Sequence, residues 1–220
     1  MLTVMPRSSS ERPRVSPKIH TLEDAIAALR SGELVVYPTE TFYGIGADPS
    51  SRMALGRLYA IKGRDAMKAV ALIAADQESA FSLACEVSPL ARRLADCFWP
   101  GPLTLVLPAR AGIAPELVGP GGGIGVRVSP HPIAHALAAG FGAPITATSA
   151  NLAGKEPARM VAQAREALGG KVKVFLDGGI STAAAPSTVV EVTGDEWRVL
   201  REGAVSRRQI AAALAGEALE

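Results

Sequence analysis

Short apolar runs, spaced along the chain with helical segments between them, constrain this fold more than any other feature. "LVVY" (34–37), "AVALIA" (69–74) and "LTLVLP" (103–108) are each four to six residues long and rich in Leu, Val and Ile. Runs of that length read as strands buried on both faces. A strand that follows the glycine-rich turn of "GPGGGIGVRV" and ends near Arg127, with strands at 145–148 and 172–176, extends the series, and "STVVEV" and "WRVLR" flank Gly194–Asp195 as an antiparallel hairpin. The helical segments carry their own start signals. Thr21 can cap a helix, with Asp24 in a capping-box position and Leu22, Ala25, Ile26 and Leu29 on one face before Gly32. Ser51 opens a second, with Ala54, Leu58 and Ile61 sharing a face. Ser88 with Pro89 opens a third, and Pro132 a fourth. A helix is expected over 161–168, and Ser206 with Gln209 forms a capping box for the last.

Strands and helices that interleave from end to end predict one α/β domain with a twisted, mixed parallel/antiparallel sheet. No repeat and no proline-rich linker divides residues 18–206. The expected organisation is a flexible N-terminal tail (1–17), one main domain (18–206) and a C-terminal helix and tail (207–220). The 220 residues include 48% hydrophobic ones, enough to bury a core without disulfides or metals. A net charge of +2 does not by itself imply nucleic acid. Cys85 and Cys97 form no CxxC, which suggests small core residues in a reducing compartment. His131 and His135 have the spacing of a helical metal pair but lack a third ligand, so capping and packing are expected of them and no metal site is assigned. No apolar run approaches the ~18 residues of a membrane span, and residues 1–17 lack the apolar core of a secretory signal. The expected location is cytoplasmic.

Several polar clusters share one address. "PTET" follows Tyr37, "SAN" follows Thr148, and Arg127 closes its strand. Ligands of open α/β sheets lie beyond the carboxyl ends of strands, so three such clusters suggest one pocket. Each alone is also ordinary turn chemistry. "KGR" puts Lys62 and Arg64 two residues apart at a helix end, where they suit either an anion or the helix dipole. Arg127 in a buried-looking strand needs an anionic ligand or an internal partner. Glu40 is the odd member of an anion pocket and is expected to pair with a cation or turn away. The chain has no GxxxxGK[ST], no GxGxxG and no GxSxG; "GPGGGIG" (119–125) is only a permissive turn.

Taken in order, "YPTETFYGIGAD", "YAIKGRD", "FWPGPLTLVLPA", "GVRVSPHPIA", "TSANLAGK", "PSTVVEV" and "VLREGAVS" resemble the YrdC family of threonylcarbamoyl-adenylate synthases over about residues 19–206. The resemblance implies a twisted α/β sheet around a positively charged, open cavity. It implies an enzyme, a nucleotidyltransferase, that condenses L-threonine, bicarbonate and ATP, with Mg²⁺ accompanying ATP, into threonylcarbamoyl-AMP and pyrophosphate. That product serves the t6A modification of tRNA position 37 through a partner transferase complex. Carried over residue by residue, Thr39 matches the threonine site, with Tyr43 in the same substrate loop. Arg127 matches the arginine for the threonine carboxylate, and Ser187 a hydroxyl near the threonine. Lys62 and Arg64 match the KxR cations facing the ATP phosphates, Ser149 and Asn151 the SxN motif at the nucleotide and reaction centre, and Arg201 an arginine near the nucleotide.

The chain departs from that pattern in two places. Lys68, Ala69 and Val70 stand where the family has Lys-Pro-Leu or Asn-Pro-Leu, and Glu156, Pro157 and Ala158 where it has a Ser-Pro-Thr-like segment. These changes put a nucleotide-contacting hydroxyl in question. The extra C-terminal domain of longer members has no counterpart, so the expectation is a stand-alone catalytic domain. The alternative readings are an RNA-binding or ribosome-associated module that uses the same cavity, with weak RNA binding, or a paralogue with a drifted substrate. Aromatics make up only 5% of the chain, which offers few stacking platforms for RNA.

Overall fold

The structure is a computed structural model that describes residues 20–63 and 69–217. The expected tail (1–17), Arg64 and Lys68 lie outside the described residues. The elements run α1 (Leu22–Arg30), β1 (Val35–Tyr37), β2 (Gly44–Gly46), α2 (Arg52–Lys62), β3 (Leu72–Ala74), α3 (Gln77–Phe81), α4 (Pro89–Phe98) and β4 (Leu103–Pro108). After a 3₁₀ turn (Pro115–Leu117) come β5 (Gly123–Val128), α5 (Pro132–Phe141), β6 (Ile145–Thr146), β7 (Thr148–Ser149), α6 (Val161–Leu168), β8 (Val174–Phe175), β9 (Thr188–Thr193), β10 (Glu196–Arg201) and α7 (Arg207–Ala215).

Local chemistry sets the helix boundaries. Thr21 and Ser206 both make reciprocal capping boxes, with Asp24 and Gln209. Ser51 and Ser88 each accept a backbone N–H from the first turn. Gly63 ends α2 in the left-handed region at φ 52°, where a side chain would be strained. His131 is an N-cap, its Nδ1 accepting from the Ile133 N–H at 3.2 Å.

Mixed pairing is present as expected, but it is divided between two sheets. One is ordered β7-β2-β1-β8 and the other β10-β9-β4-β5-β3-β6, each with parallel and antiparallel neighbours. The apolar runs are buried on both faces for a simple reason. Along β1, Val36 belongs to the larger core and Val35 and Tyr37 to a smaller one under α1 and α5. Along β3, Leu72 and Ala74 go to the larger core and Ile73 to the smaller. Alternate side chains of one strand thus fill two different interiors.

The expected strand 145–148 is broken at Ala147. Thr146 ends β6 in the six-stranded sheet, and Thr148 begins β7 in the four-stranded one. Thr146 also ties that crossing to the opposite sheet. Its N–H donates to the Ala47 carbonyl (3.1 Å), and its Oγ1 accepts from the Ala47 N–H (2.8 Å) and donates to the Ile45 carbonyl (3.2 Å). Its own carbonyl accepts from the buried Tyr37 hydroxyl at 2.9 Å. Thr146 is fully buried, so these bonds form without competing water.

One expectation is overturned outright. Cys85 and Cys97 are exposed, not core residues. The buried residues of α4 are Ala91, Leu94 and Ala95, and Cys97 falls outside that set. Among the described residues no helix is long and apolar enough to cross a membrane.

The Thr146 seam makes a stability prediction. Thr146→Val keeps the shape but leaves the Ala47 N–H and Ile45 carbonyl buried without this partner. The expected loss is about 2 kcal/mol or more, seen as a fall of roughly 4–8 °C in thermal midpoint for a domain of this size. Thr146→Ser, which keeps the hydroxyl, should retain most of the stability. Thermal or denaturant melts of the two variants check this.

Candidate functional site

A cavity of about 810 Å³ lies beside this seam. Its wall includes Thr39 and Thr41 from the β1–β2 loop, Thr148 and Ser149 from β7, Arg127 from β5 and Arg201 from β10. The three polar clusters singled out in the sequence therefore do converge. Tyr43, Ser187 and the glycines of the 119–125 turn line it too. Lys62 and Asn151 are not among the described lining residues; they lie behind Ser149. Arg64 is outside the described residues, while Ala69 and Val70, which follow that segment, line the cavity.

The loop at 38–43 is held by its own hydroxyls. Thr39 Oγ1 donates to the Phe42 carbonyl (2.7 Å), accepts from the Thr41 N–H (3.1 Å) and lies 3.0 Å from Thr41 Oγ1. The Tyr43 hydroxyl points away to the 177–179 segment. It donates to the Gly179 carbonyl at 2.8 Å and accepts the Gly178 N–H at 3.0 Å. Burial is the main cause that raises its pKa, partly countered by that Gly178 bond. Ser181 Oγ donates to the Thr41 carbonyl, and Arg159 reaches the Ala183 carbonyl at 2.6 Å while covering the Phe42 ring. Residues 177–183 are thereby strapped to the 38–43 loop.

Glu40 pairs with a cation, as its chemistry demands. One carboxylate oxygen accepts Arg127 Nε at 2.9 Å, and the other accepts the Ser129 hydroxyl. The Arg127 side chain is only 6% exposed and that of Glu40 12%, so this pair is largely shielded from solvent. Among the described residues only Nε of Arg127 is bonded to protein, which leaves the η nitrogens for the cavity that Arg127 lines.

Behind β7, the Lys62 ammonium donates to the Ser149 carbonyl (2.8 Å), the Asn151 carbonyl (2.8 Å) and Asn151 Oδ1 (2.7 Å). Ser149 Oγ donates to the same Oδ1 at 2.5 Å, and Asn151 Nδ2 donates to the Lys155 carbonyl. On the far wall, Arg201 Nη2 donates to the Ser187 carbonyl (2.8 Å) and lies 3.2 Å from Ser187 Oγ, which also accepts from Thr104 Oγ1 at 3.0 Å. His131 borders Glu40; burial lowers its pKa and Glu40 opposes that, in keeping with a neutral ring that accepts through Nδ1.

Some of the site escapes a sequence reading. Thr104 sits mid-run in "LTLVLP"; one hydroxyl in an apolar strand was the available signal. Ser129, Arg159 and the Glu191–Arg198 pair (2.7 Å) at the cavity rim carry no motif. At the departing segment, Pro157 lines the cavity, and the buried Ala158 offers its carbonyl to the Tyr43 N–H at 3.0 Å. Among the described residues no group of three His, Cys, Asp or Glu could hold a metal ion.

The chain is similar to known proteins over most of its length. The model of the Sua5/YciO/YrdC family, described as "Telomere recombination", matches residues 27–203. A threonylcarbamoyl-AMP synthase of Chromohalobacter salexigens is 42% identical over 176 residues, which cover 80% of this chain and 94% of the relative. One from Thiobacillus denitrificans is 39% identical over 185 residues, 84% of this chain and 95% of its own. The structure of P. abyssi Sua5 complexed with L-threonine superposes with a TM-score of 0.84 at 35% identity; it covers 89% of this chain, and this chain spans 57% of that protein. E. coli YciO superposes at 0.76 with 28% identity, covering 84% of this chain and 90% of its own. The chain belongs to the Sua5/YciO/YrdC family.

Proposed function

We propose that this protein is an L-threonylcarbamoyladenylate synthase, a nucleotidyltransferase that joins L-threonine, bicarbonate and ATP into threonylcarbamoyl-AMP with release of pyrophosphate. The observation that carries this reading is the convergence of the "PTET" loop, Arg127 and the "SAN" turn on one cavity, in a chain 42% identical to a threonylcarbamoyl-AMP synthase. A volume of about 810 Å³ is in the range of small-molecule sites and large enough for a nucleotide with an amino acid beside it.

The chemistry has two bond-forming steps. The threonine amine, after losing a proton, adds to bicarbonate and water leaves, giving a carbamate. A carbamate oxygen then attacks the α-phosphorus of ATP and pyrophosphate departs. No protein nucleophile is required, so the residues act by placement and by charge. Arg127 is assigned to the threonine carboxylate, since its η nitrogens form the planar fork that a carboxylate fits. Thr39 and Tyr43 hold the loop that shapes the amino-acid site, because their hydroxyls are already engaged within the protein. Ser187 and Arg201 form the opposite wall beside the nucleotide. Arg64 is assigned to the phosphates, and Ser149 to the point where nucleotide and carbamate meet. Mg²⁺ is proposed to enter with ATP, held by phosphate oxygens and water as this ion prefers. The product is a mixed anhydride that water destroys, so the site must limit solvent entry during the reaction. The product would pass to a tRNA threonylcarbamoyltransferase complex for t6A at position 37, in the cytoplasm.

Pyrophosphate release should require threonine, bicarbonate and MgATP together. Equal release with any other amino acid, or none with threonine, would overturn the reading. A second outcome follows from the Glu40–Arg127 pair. Arg127→Lys loses the planar fork and should raise KM for threonine roughly 10- to 100-fold, the worth of a charged hydrogen bond, with KM for ATP nearly unchanged. Glu40→Gln should shift the same constant in the same direction by a smaller factor. Steady-state kinetics with each substrate varied in turn checks both.

A further inference from the structure

Lys62 is half of the KxR pattern, which invites the idea that its ammonium grips phosphate. The geometry points elsewhere. We propose that Lys62 is a positioning residue that fixes the 149–151 turn through that turn's oxygens and makes no hydrogen bond to the nucleotide phosphates. The inference rests on the synthase reading of the cavity and refines which groups in it meet the nucleotide.

An ammonium has three N–H donors and no acceptor. Among the described residues, three oxygens lie close to Lys62 Nζ: the Ser149 carbonyl and the Asn151 carbonyl at 2.8 Å, and Asn151 Oδ1 at 2.7 Å. The Ser149 hydroxyl, at 3.5 Å, is a distant fourth. Among the described residues, the oxygens that match its three donors all come from one short segment. Lys62 is also only 2% exposed, and it is not among the described residues that line the cavity. A phosphate could bond Nζ only by displacing one of these oxygens, which would then lose its charged donor. Buried carbonyls stripped of a charged donor are costly to leave unpaired.

The same bonds set the orientation of Asn151. A lysine can only donate, so the amide atom facing it must be Oδ1. That turns Nδ2 to the Lys155 carbonyl and brings the Ser149 hydroxyl hydrogen to Oδ1 at 2.5 Å. Ser149 is the member of the trio that lines the cavity. Since its hydrogen is directed at Asn151, its oxygen faces the substrates as an acceptor. It therefore suits an N–H or O–H of a bound substrate and is mismatched to an anionic phosphate oxygen. Lys62 acts through this chain of contacts: lysine fixes asparagine, asparagine fixes the serine proton, and the serine presents a lone pair.

The test compares nucleotides that differ only in phosphates. Lys62→Met keeps length and apolar bulk but cannot donate. Calorimetry should show its affinities for ATP and AMP changing by the same factor, so that their ratio stays within about threefold of wild type. Pyrophosphate release should fall about 100-fold, the scale of a small misplacement of reacting groups. Asn151→Ala should give the same pattern, and the double variant should be no worse than either single one, as for residues acting as a unit. A loss of about tenfold or more in ATP affinity with AMP unaffected would mean a lost phosphate bond and would overturn the proposal. Independent effects of the two substitutions would overturn it as well. If Lys62→Met does not fold, the wild-type protein decides: its lysine Nζ NMR signal for residue 62 should respond equally to AMP and ATP, and a shift specific to ATP would refute the assignment. A wild-type protein that binds nucleotides but releases no pyrophosphate would sink the synthase reading and leave this comparison standing.

Discussion

The arrangement of the molecule depends on Thr146, which sits in one sheet and directs its polar groups to the other. Its N–H and hydroxyl close on the backbone of 45 and 47, and its carbonyl takes the Tyr37 hydroxyl. All of this is buried, in surroundings where each hydrogen bond is strong and each missing partner is expensive. Two residues later the chain has changed sheets, and one residue after that it reaches Ser149. The position of the "SAN" turn against the β1–β2 hairpin is therefore set by the seam. Gly44 pairs with Ser149 and Tyr37 with Gly44, so the "PTET" loop and the turn are tied to one sheet.

Charge is handled in the site by internal pairing. Arg127 and Lys62 are both nearly excluded from solvent, and neither is left to be satisfied by ligand alone. Arg127 gives one edge to Glu40, and Lys62 gives its donors to neutral oxygens. The first arrangement holds a fork in place while leaving its other face available. The second holds a backbone turn while keeping a positive charge close to the cavity wall. Both are preorganised before any substrate arrives, which is where electrostatic stabilisation is most effective.

The sequence made the helices and the doubly buried strands legible because their signals are local. Thr21 with Asp24, Ser206 with Gln209, and Ser88 before Pro89 need nothing beyond one turn of chain. The short strand β2 was not legible, since Gly-Ile-Gly has weak strand preference and forms only because β1 and β7 flank it. The break at Ala147 was equally hidden: "ITATS" carries no glycine or proline to mark a change of sheet, and the change is dictated by partners a hundred residues away. The two cysteines show the limit of residue-type averages, for both lie on the surface. In the site, residue identities were readable from motif order, but hydrogen-bond direction was not. That Glu40 would pair could be reasoned from charge; that Lys62 would turn inward to 149–151 could not.

That difference bears on how the chemistry is divided. The side chains that look most reactive in the sequence (the threonines of "PTET", the lysine of "KGR", the asparagine of "SAN") are engaged in shaping backbone. The cavity is presented instead by a few oriented groups: the free face of Arg127, the lone pair of Ser149 and the Arg201–Ser187 wall. A reaction that passes through a carbamate and a phosphoryl attack needs no protein nucleophile, and it gains most from fixed geometry and placed charge. A site whose polar side chains are mostly bonded to one another is suited to that task, because each substrate meets groups that no longer have to move.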